Sequence, residues 1–437
     1  MPLGSDGEVL AAVKLWNDTS TVRECAEIHE ALGGVERAIA LAGNPILPGY
    51  TAPKVRWLKN HRPEIYARLA TILLPHDYLN FLLTGQRGME CGDASGTGFL
   101  DVRRRTWSAE VLRAIDPQED LGAKLPPLLP PSNPAAPAGR VQPRWAGELG
   151  LAGGVLVSAG GGDNMMGAIG TGAVESGVLT VSLGTSGTLY GHADRPVIAP
   201  SGEFAAFCSS TAGWLPLLCT LNCTAATERM RELLGIALEA FDPLLSRSRP
   251  GAGGVVGFPF FDGERTPNLP RGRACFFGLS SPNATPENLL RAVVEAIAFG
   301  LRAGLDGMGR AGLTFRKLRA IGGGANSREW LRILADVLGM EVTVPREPES
   351  AALGAALQAL FCYLHENREP VGIGALTREH LALDEQRVFT PDPSRRSIYE
   401  EAYQGYLGHL AQLQTLYGGE DPRTEATRSN SKKGEVP

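Results

Sequence analysis

An aspartate that follows three consecutive glycines is the residue whose position is best suited to chemistry. Asp163 comes directly after residues 160–162, and a short β-rich stretch precedes these glycines. A strand that ends in such a turn presents the next side chain at the sheet edge where α/β proteins bind ligands. A carboxylate there can act as a general base or simply cap the following helix, and the spacing leaves both readings open. The neighbouring Asn164 offers a donor and an acceptor that suit a polyol.

A second glycine-containing turn lies between two predicted strands. Gly184, Thr185 and Ser186 form this turn. Consecutive backbone N–H groups can bind an anion, and the two hydroxyl groups add donors. The same residues would also make an ordinary hairpin turn.

A third turn joins a predicted strand to a predicted helix at residues 322–327. Glycines at the start of a helix let a nucleotide approach the backbone closely. The segment is neither a Walker A motif nor a G-x-G-x-x-G motif, so the turn by itself is weak evidence. Asn326 or Ser327 could equally be the cap of the helix that follows.

Composition and charge exclude several classes of protein. The 437 residues include 42 Lys and Arg against 47 Asp and Glu, a net charge of −5, so we expect no nucleic-acid partner. No apolar run reaches the roughly 18 residues of a membrane helix, and the N-terminus does not have the pattern of a signal peptide. The seven scattered cysteines form no C-x-x-C pair and predict free thiols in a reducing compartment. We therefore expect a cytoplasmic protein with no membrane partner.

Strands and helices alternate along most of the chain, which predicts an α/β fold with a mixed or parallel sheet. Near the N-terminus we expect a strand at 8–15, a helix at 22–32 and a mainly helical region at 51–85 that is interrupted at 71–74. Further along, we predict strands at 154–158, 178–183, 187–191, 318–321 and 341–344, and helices at 288–301, 327–338 and 350–364.

A proline-rich segment at 125–143 is the best internal boundary, since it cannot form a regular helix or a central strand. We predict one domain at 1–150 and a second at 151–417. The polar residues 418–437 contain no aromatic side chain and are predicted to be a disordered tail.

Two long segments resemble the signatures of the FGGY family of carbohydrate kinases, within the actin-like ATPase (ribonuclease H-like) fold. They are residues 49–61, and residues 274–279 together with 288–295. The resemblance covers about residues 7–417. Shorter stretches resemble the members that phosphorylate D-xylulose to D-xylulose 5-phosphate, namely residues 15–18, 93–97, 161–164 and 263–267.

The resemblance implies a role for each of the residues above. Asp163 would be the catalytic base, and Asn164 and Asp18 would contact the sugar. ATP and Mg²⁺ would be required, with Mg²⁺ bridging the phosphates, and the protein could form a homodimer. The phosphate hairpin would be Gly184, Thr185 and Ser186, and the adenosine site would be Gly323 and Gly324 with their neighbours Asn326 and Ser327.

Two departures from the family pattern qualify this expectation. The usual opening strand–turn–strand with an Asp-x-Gly-Thr phosphate loop is not present, and neither is a later Met-His pair that contacts the sugar. We therefore expect an N-terminally truncated first domain, and sequence upstream of Met1 would test this. Ser20 also stands where an Arg is usual. The alternatives are a kinase of another ketose or polyol, or a truncated, non-catalytic actin-like binding module.

Overall fold

The computed structural model describes residues 1–417, so the predicted tail at 418–437 lies outside the described residues. Helices dominate the N-terminal part of the chain, and its short strands form antiparallel pairs: β1 with β2, β3 with β4, and β5 with β6. The helices are α1 (Val22–Leu32), α2 (Val35–Ala42), α3 (Thr51–His61), α4 (Pro63–Tyr66), α5 (Pro75–Thr84), α6 (Cys91–Ala94), α7 (Ala109–Ile115) and α8 (Pro143–Leu149). The strands are β1 (Pro2–Leu3), β2 (Thr71–Ile72), β3 (Leu100–Asp101), β4 (Thr106–Trp107), β5 (Pro137–Arg140) and β6 (Leu156–Ser158).

The C-terminal part contains a sheet of seven strands. Its strands are β7 (Val178–Leu183), β8 (Gly187–Gly191), β9 (Ala205–Cys208), β10 (Trp214–Thr220), β13 (Lys317–Ile321), β14 (Glu341–Pro345) and β15 (Leu383–Phe389), and β11 (Val256–Phe258) pairs with β12 (Cys275–Phe277) in a separate ladder. The helices are α9 (Asp163–Thr171), α10 (Thr224–Leu233), α11 (Phe241–Arg247), α12 (Pro286–Arg310), α13 (Arg328–Leu338), α14 (Ser350–Glu366), α15 (Ile373–His380) and α16 (Arg396–Tyr417).

The seven strands lie in the order β15-β14-β13-β7-β8-β10-β9. The neighbours β7, β13 and β14 are parallel, and the other neighbouring strands are antiparallel. Leu179, Val181 and Leu183 of β7 pack into a core with α12 and α13. Tyr190 of β8 packs with α9 and α14 on the opposite face. The sheet is therefore the middle of three layers, which confirms the mixed α/β prediction.

Several predicted elements are confirmed at or close to their bounds. Helix α1 covers the predicted 22–32 and ends at Gly33, whose φ of 86° is left-handed. Strands β7 and β8 have the predicted bounds, and they pair as an antiparallel hairpin. The buried helix predicted at 288–301 is longer, because α12 runs from Pro286 to Arg310.

The strand predicted at 8–15 is wrong. In this stretch only Val9 makes a bridge, to Leu3, because a turn at Gly4 brings the backbone N–H of Gly4 to within 3.0 Å of the Glu8 carbonyl. The β-rich residues that follow find no neighbouring strand within residues 1–417. Leu15 and Trp16 are exposed. The domain boundary that we expect between residues 150 and 151 stays a prediction.

Helices α14 and α9 come into backbone contact at Gly354 and Gly170. A Cβ atom on Gly354 would lie 1.8 Å from the carbonyl oxygen of Met166, and one on Gly170 would lie 1.8 Å from that of Ser350. This backbone contact fixes α9, and hence Asp163 at its start, against the helix layer of the C-terminal part.

Replacement of Gly354 by alanine should therefore destabilise the protein. Because the added methyl group meets backbone and cannot rotate away, we expect Gly354→Ala to lower the free energy of unfolding by about 1–3 kcal/mol, as overpacking does. The matched control is Gly408→Ala in α16, where a Cβ would meet nothing within 4 Å. This control should raise the free energy of unfolding by about 0.5–1 kcal/mol. Equal melting midpoints for the two variants in a thermal denaturation series would contradict the packing argument.

Candidate functional site

The carboxylate of Asp163 lies at the start of α9 and is exposed. The cap position of this helix belongs to Gly162, so Asp163 is the first helical residue and not the cap. One carboxylate oxygen, Oδ1, accepts hydrogen bonds from the backbone N–H (2.8 Å) and the side-chain amide (3.0 Å) of Asn164. Within residues 1–417 the other oxygen, Oδ2, accepts no hydrogen bond, so it is available to a substrate.

The two glycine-containing turns meet at one edge of the sheet. The hairpin turn of Gly184, Thr185 and Ser186 follows β7, and the turn that begins at Gly322 follows β13. Because β7 and β13 are parallel neighbours, their carboxyl ends lie side by side. A Cβ on Gly322 would lie 2.8 Å from the backbone of Leu183, so the two turns touch.

The residues of the second turn differ in what they can offer a ligand. Gly323 and Asn326 are exposed, and a Cβ on Gly323 would meet nothing within 4 Å. Gly324 is buried, and a Cβ there would lie 2.8 Å from the Cβ of Leu183. Gly323 and Asn326 therefore leave room for a nucleotide, and a nucleotide contact from the backbone of Gly324 stays a prediction.

Ser327 occupies the cap position of α13. Its hydroxyl accepts a hydrogen bond from the backbone N–H of Trp330 at 3.0 Å and donates one to Asp242. The hydroxyl is therefore already used within the protein. A nucleotide contact from Ser327 stays a prediction.

Asn164 is linked to the sheet by Thr188, a residue that no sequence motif predicts to belong to the site. The Thr188 hydroxyl donates to Oδ1 of Asn164 at 3.3 Å. Cys219 on β10 is the register partner of Thr188, and Nη1 of Arg265 lies 3.7 Å from the Cys219 sulfur. This row of side chains places a guanidinium group on the same side of the sheet as Asn164.

Buried Glu264 orients Arg265 through the backbone. Its carboxylate accepts hydrogen bonds from the backbone N–H of Leu221 (2.6 Å), the backbone N–H of Arg265 (2.7 Å) and the side-chain amide of Asn222 (2.9 Å). Within residues 1–417, Arg265 makes no ion pair with a carboxylate. Its charge is therefore available to a negatively charged ligand. Arg265 lies in the segment 263–267 that resembles the family, and this resemblance is the sequence signal for it.

Tyr50, at the start of α3, faces Arg265 from the N-terminal part of the chain. Burial raises the pKa of Tyr50 to about 12, against the opposing positive charge of Arg265. Its hydroxyl is buried and has no hydrogen-bond partner within the described residues. The candidate site thus lies where the N- and C-terminal parts meet.

Asp18 lies in a separate loop, where its carboxylate is bonded to nearby residues of the same loop. Its carboxylate pairs with the Lys14 ammonium at 3.1 Å and accepts hydrogen bonds from the hydroxyl and backbone N–H of Ser20. These bonds from Ser20 lower the pKa of Asp18 to about 2. No hydrogen bond or ion pair in the described part of the chain joins Asp18 to Asp163 or Asn164, so its contact with sugar stays a prediction.

One group of potential metal ligands lies close to the candidate site. The donor atoms of His76, Asp77 and Asp93 lie within 4.8 Å of one another. Nδ1 of His76 is 2.7 Å from Asp93, and Nε2 is 3.1 Å from Asp77 but not aligned for a hydrogen bond. Burial lowers the pKa of His76, but the hydrogen bond to Asp93 and the charges of Asp77, Asp93 and Glu90 outweigh it and raise the pKa to about 9. We interpret the group as an ion-pair cluster.

Comparison with protein families identifies the chain. The model of the FGGY family of carbohydrate kinases, N-terminal domain, matches residues 1–170, and the model of the C-terminal domain of the same family matches residues 179–363. The chain belongs to the FGGY family of carbohydrate kinases. The family assignment makes this FGGY protein an enzyme that transfers phosphate to a carbohydrate, and ATP is its co-substrate. The predicted two-domain actin-like fold is confirmed.

Several relatives of this FGGY kinase are named xylulose kinases. The xylulose kinase of Haemophilus influenzae is 42% identical over 411 residues, which cover 94% of this chain and 82% of the relative. The xylulose kinase of Streptomyces rubiginosus is 39% identical over 360 residues, which cover 82% of this chain and 71% of the relative. Among solved structures, xylulose kinase from Bifidobacterium adolescentis has a TM-score of 0.78 and 32% identity, with 92% of this chain and 84% of that chain covered.

Proposed function

We propose that this FGGY kinase transfers the γ-phosphate of ATP to D-xylulose and forms D-xylulose 5-phosphate. The observation that carries the proposal is the free carboxylate oxygen of Asp163, whose neighbour Asn164 bonds to Thr188 at the start of β8, next to the hairpin turn at residues 184–186. The relatives named above are xylulose kinases, which supports this choice of sugar.

In the proposed reaction Asp163 is the general base. The hydroxyl oxygen on C5 of the sugar attacks the γ-phosphorus, and the bond from that phosphorus to the bridging oxygen of ADP breaks. The hydroxyl proton passes to the free Oδ2 of Asp163. Asn164, whose amide holds Oδ1 and whose own oxygen is held by Thr188, would orient the carboxylate and contact the sugar.

The phosphates of ATP would bind at the two turns. The backbone N–H groups of residues 184–186 and the hydroxyl groups of Thr185 and Ser186 offer donors to phosphate oxygens. Gly323 leaves its side of the second turn open, so adenosine could lie against Gly323 and Asn326. The transferred group passes through a charged transition state, which the half-buried guanidinium of Arg265 could stabilise.

We propose Mg²⁺ as the accompanying ion. Mg²⁺ usually keeps several waters and is bound by one or two carboxylates together with substrate phosphates. Apart from the ion-paired His76, Asp77 and Asp93, residues 1–417 contain no group of three or more such ligands for a metal. An ion that is held mainly by the phosphates of ATP and by water needs no such group. When bound with ATP, Mg²⁺ neutralises charge on the phosphates.

The predicted location and assembly of the protein belong to the same proposal. None of the helices within residues 1–417 is both long and apolar enough to cross a membrane. All seven cysteines are free thiols, as expected for a reducing compartment. A cytoplasmic location and a homodimer stay predictions.

A panel of sugars tests the proposed substrate. ADP release by the protein expressed from its complete gene should be measured with D-xylulose, D-ribulose, L-ribulose, glycerol and D-gluconate. We expect kcat/KM to be highest for D-xylulose. A higher value for another ketose or polyol would support the alternative kinase. ATP binding without sugar-dependent ADP release would support a non-catalytic binding module.

A further inference from the structure

The three glycines in front of Asp163 lie directly against polar side chains. A Cβ on Gly160 would be 3.0 Å from the His76 ring, one on Gly161 would be 2.6 Å from the Ser210 hydroxyl, and one on Gly162 would be 3.3 Å from Asp93. The backbone of the loop therefore rests on these groups without an intervening side chain. Such close approach explains the glycines, but it also means that the loop has no side chains of its own to hold it.

Two amide side chains hold this loop through its backbone. The amide of Asn80 donates to the carbonyl of Ala159 at 2.8 Å. Gln358, on α14, accepts from the Gly160 N–H and donates to the Gly160 carbonyl, both at 2.9 Å. Gln358 is only 2% exposed, so these two bonds are shielded from competing water.

Asp93 is a third residue that borders the loop, and the His76 ring holds its carboxylate in place. Asp93 follows Glu90, whose buried carboxylate accepts hydrogen bonds from the backbone N–H groups of Gly92 (2.8 Å) and Asp93 (2.9 Å). Nδ1 of His76 bonds to Oδ2 of Asp93 at 2.7 Å, and Oδ1 of Asp93 is the atom nearest to Gly162 on that side chain. His76 thus fixes the carboxylate that borders the residue preceding Asp163.

We propose that Gln358 and the His76–Asp93 pair are positioning residues of the kinase reaction, which hold the loop at residues 159–162 so that Asp163 reaches the sugar hydroxyl. This inference rests on the proposed role of Asp163. Glycine backbone is unusually free to move, so a loop of three glycines keeps one geometry only when its surroundings impose it. His76 and Asp93 come from the N-terminal part and Gln358 from the C-terminal part, so the loop is held from both.

The test separates catalysis from binding in three variants. Gln358→Met keeps the length of the side chain but removes both hydrogen bonds, and His76→Leu removes the bond to Asp93. For both we expect kcat to fall about 10–100-fold, because a shift of about 1 Å in a reacting group can cost that much. KM for sugar and ATP should change less than about twofold, since neither residue is among those proposed to bind the sugar or ATP. His76→Asn keeps an N–H near the position of Nδ1 and should recover most of the lost kcat.

A matched control distinguishes positioning from stability. His61 makes a comparable pair with buried Glu24, at 3.0 Å, away from the loop. We expect His61→Leu to lower the melting midpoint and leave kcat unchanged. Asp163→Asn is measured in parallel, and its full activity would refute the base itself. If Asp163→Asn is inactive while Gln358→Met and His76→Leu keep the wild-type kcat, the positioning inference is overturned.

Discussion

Asp163→Asn should lower kcat by about 10²–10⁴-fold, the usual contribution of a positioned general base. The amide cannot accept the proton of the sugar hydroxyl, but its oxygen can still accept the two hydrogen bonds that Asn164 gives to Oδ1. ATP affinity should therefore stay within about twofold of the wild-type value, since the variant loses a group that acts only on the sugar. Steady-state kinetics and calorimetric titration with ATP measure the two quantities separately.

The control for this variant is another exposed carboxylate in the first turn of a helix. Glu36 lies in the first turn of α2, far along the chain from the loop, and Glu36→Gln removes the same charge from a similar position. We expect its kcat to be unchanged. Because Gly162 and not Asp163 occupies the cap position, Asp163→Asn should also melt close to the wild-type temperature. A kcat within tenfold of the wild-type value would remove Asp163 from the mechanism.

Gly323→Val should weaken ATP binding by about 100-fold, which equals about 2.7 kcal/mol. The protein itself leaves space at this position, because a Cβ on Gly323 would meet nothing within 4 Å. The branched side chain would then fill the surface against which we place the nucleotide. Binding of D-xylulose should be unaffected, and calorimetric titration with each ligand decides the matter.

The neighbouring Gly324 provides the contrast. A Cβ on Gly324 would lie 2.8 Å from Leu183 and 3.0 Å from the ring of Trp330, so Gly324→Val clashes with the core. We expect this variant to lose stability and the binding of both ligands together. If Gly323→Val also loses both ligands equally, it acts by misfolding. An ATP affinity equal to the wild-type value would place the nucleotide site elsewhere.

Local patterns in the sequence were sufficient for the elements that carry the site. The alternation of apolar residues on either side of Gly184 predicts β7, β8 and their turn, because period and turn residues are both local signals. The strand expected at 8–15 failed because a strand also needs a neighbour, and β composition alone does not supply one. The assignment of Asp163 depended on resemblance, since spacing alone left the cap reading open.

Contacts between distant residues could not be predicted in this way. Gln358 is 198 positions away from Gly160, and nothing in its local sequence separates it from an ordinary helix residue. Arg265 lies in a segment that was noted for its resemblance, yet its approach to Cys219 depends on how a loop folds over β10. Such residues become visible only when the fold brings them together.

The most direct test of the account is to identify the product. The protein expressed from its complete gene should be incubated with Mg²⁺, ATP and D-xylulose, and phosphorus–proton correlation NMR should follow the phosphate. We predict a phosphate ester coupled to the two protons on C5 of the sugar, formed in step with ADP, and not formed by Asp163→Asn at a comparable rate. An ester on a different carbon, ADP without a sugar ester, or an undiminished rate in Asp163→Asn would contradict the proposed reaction.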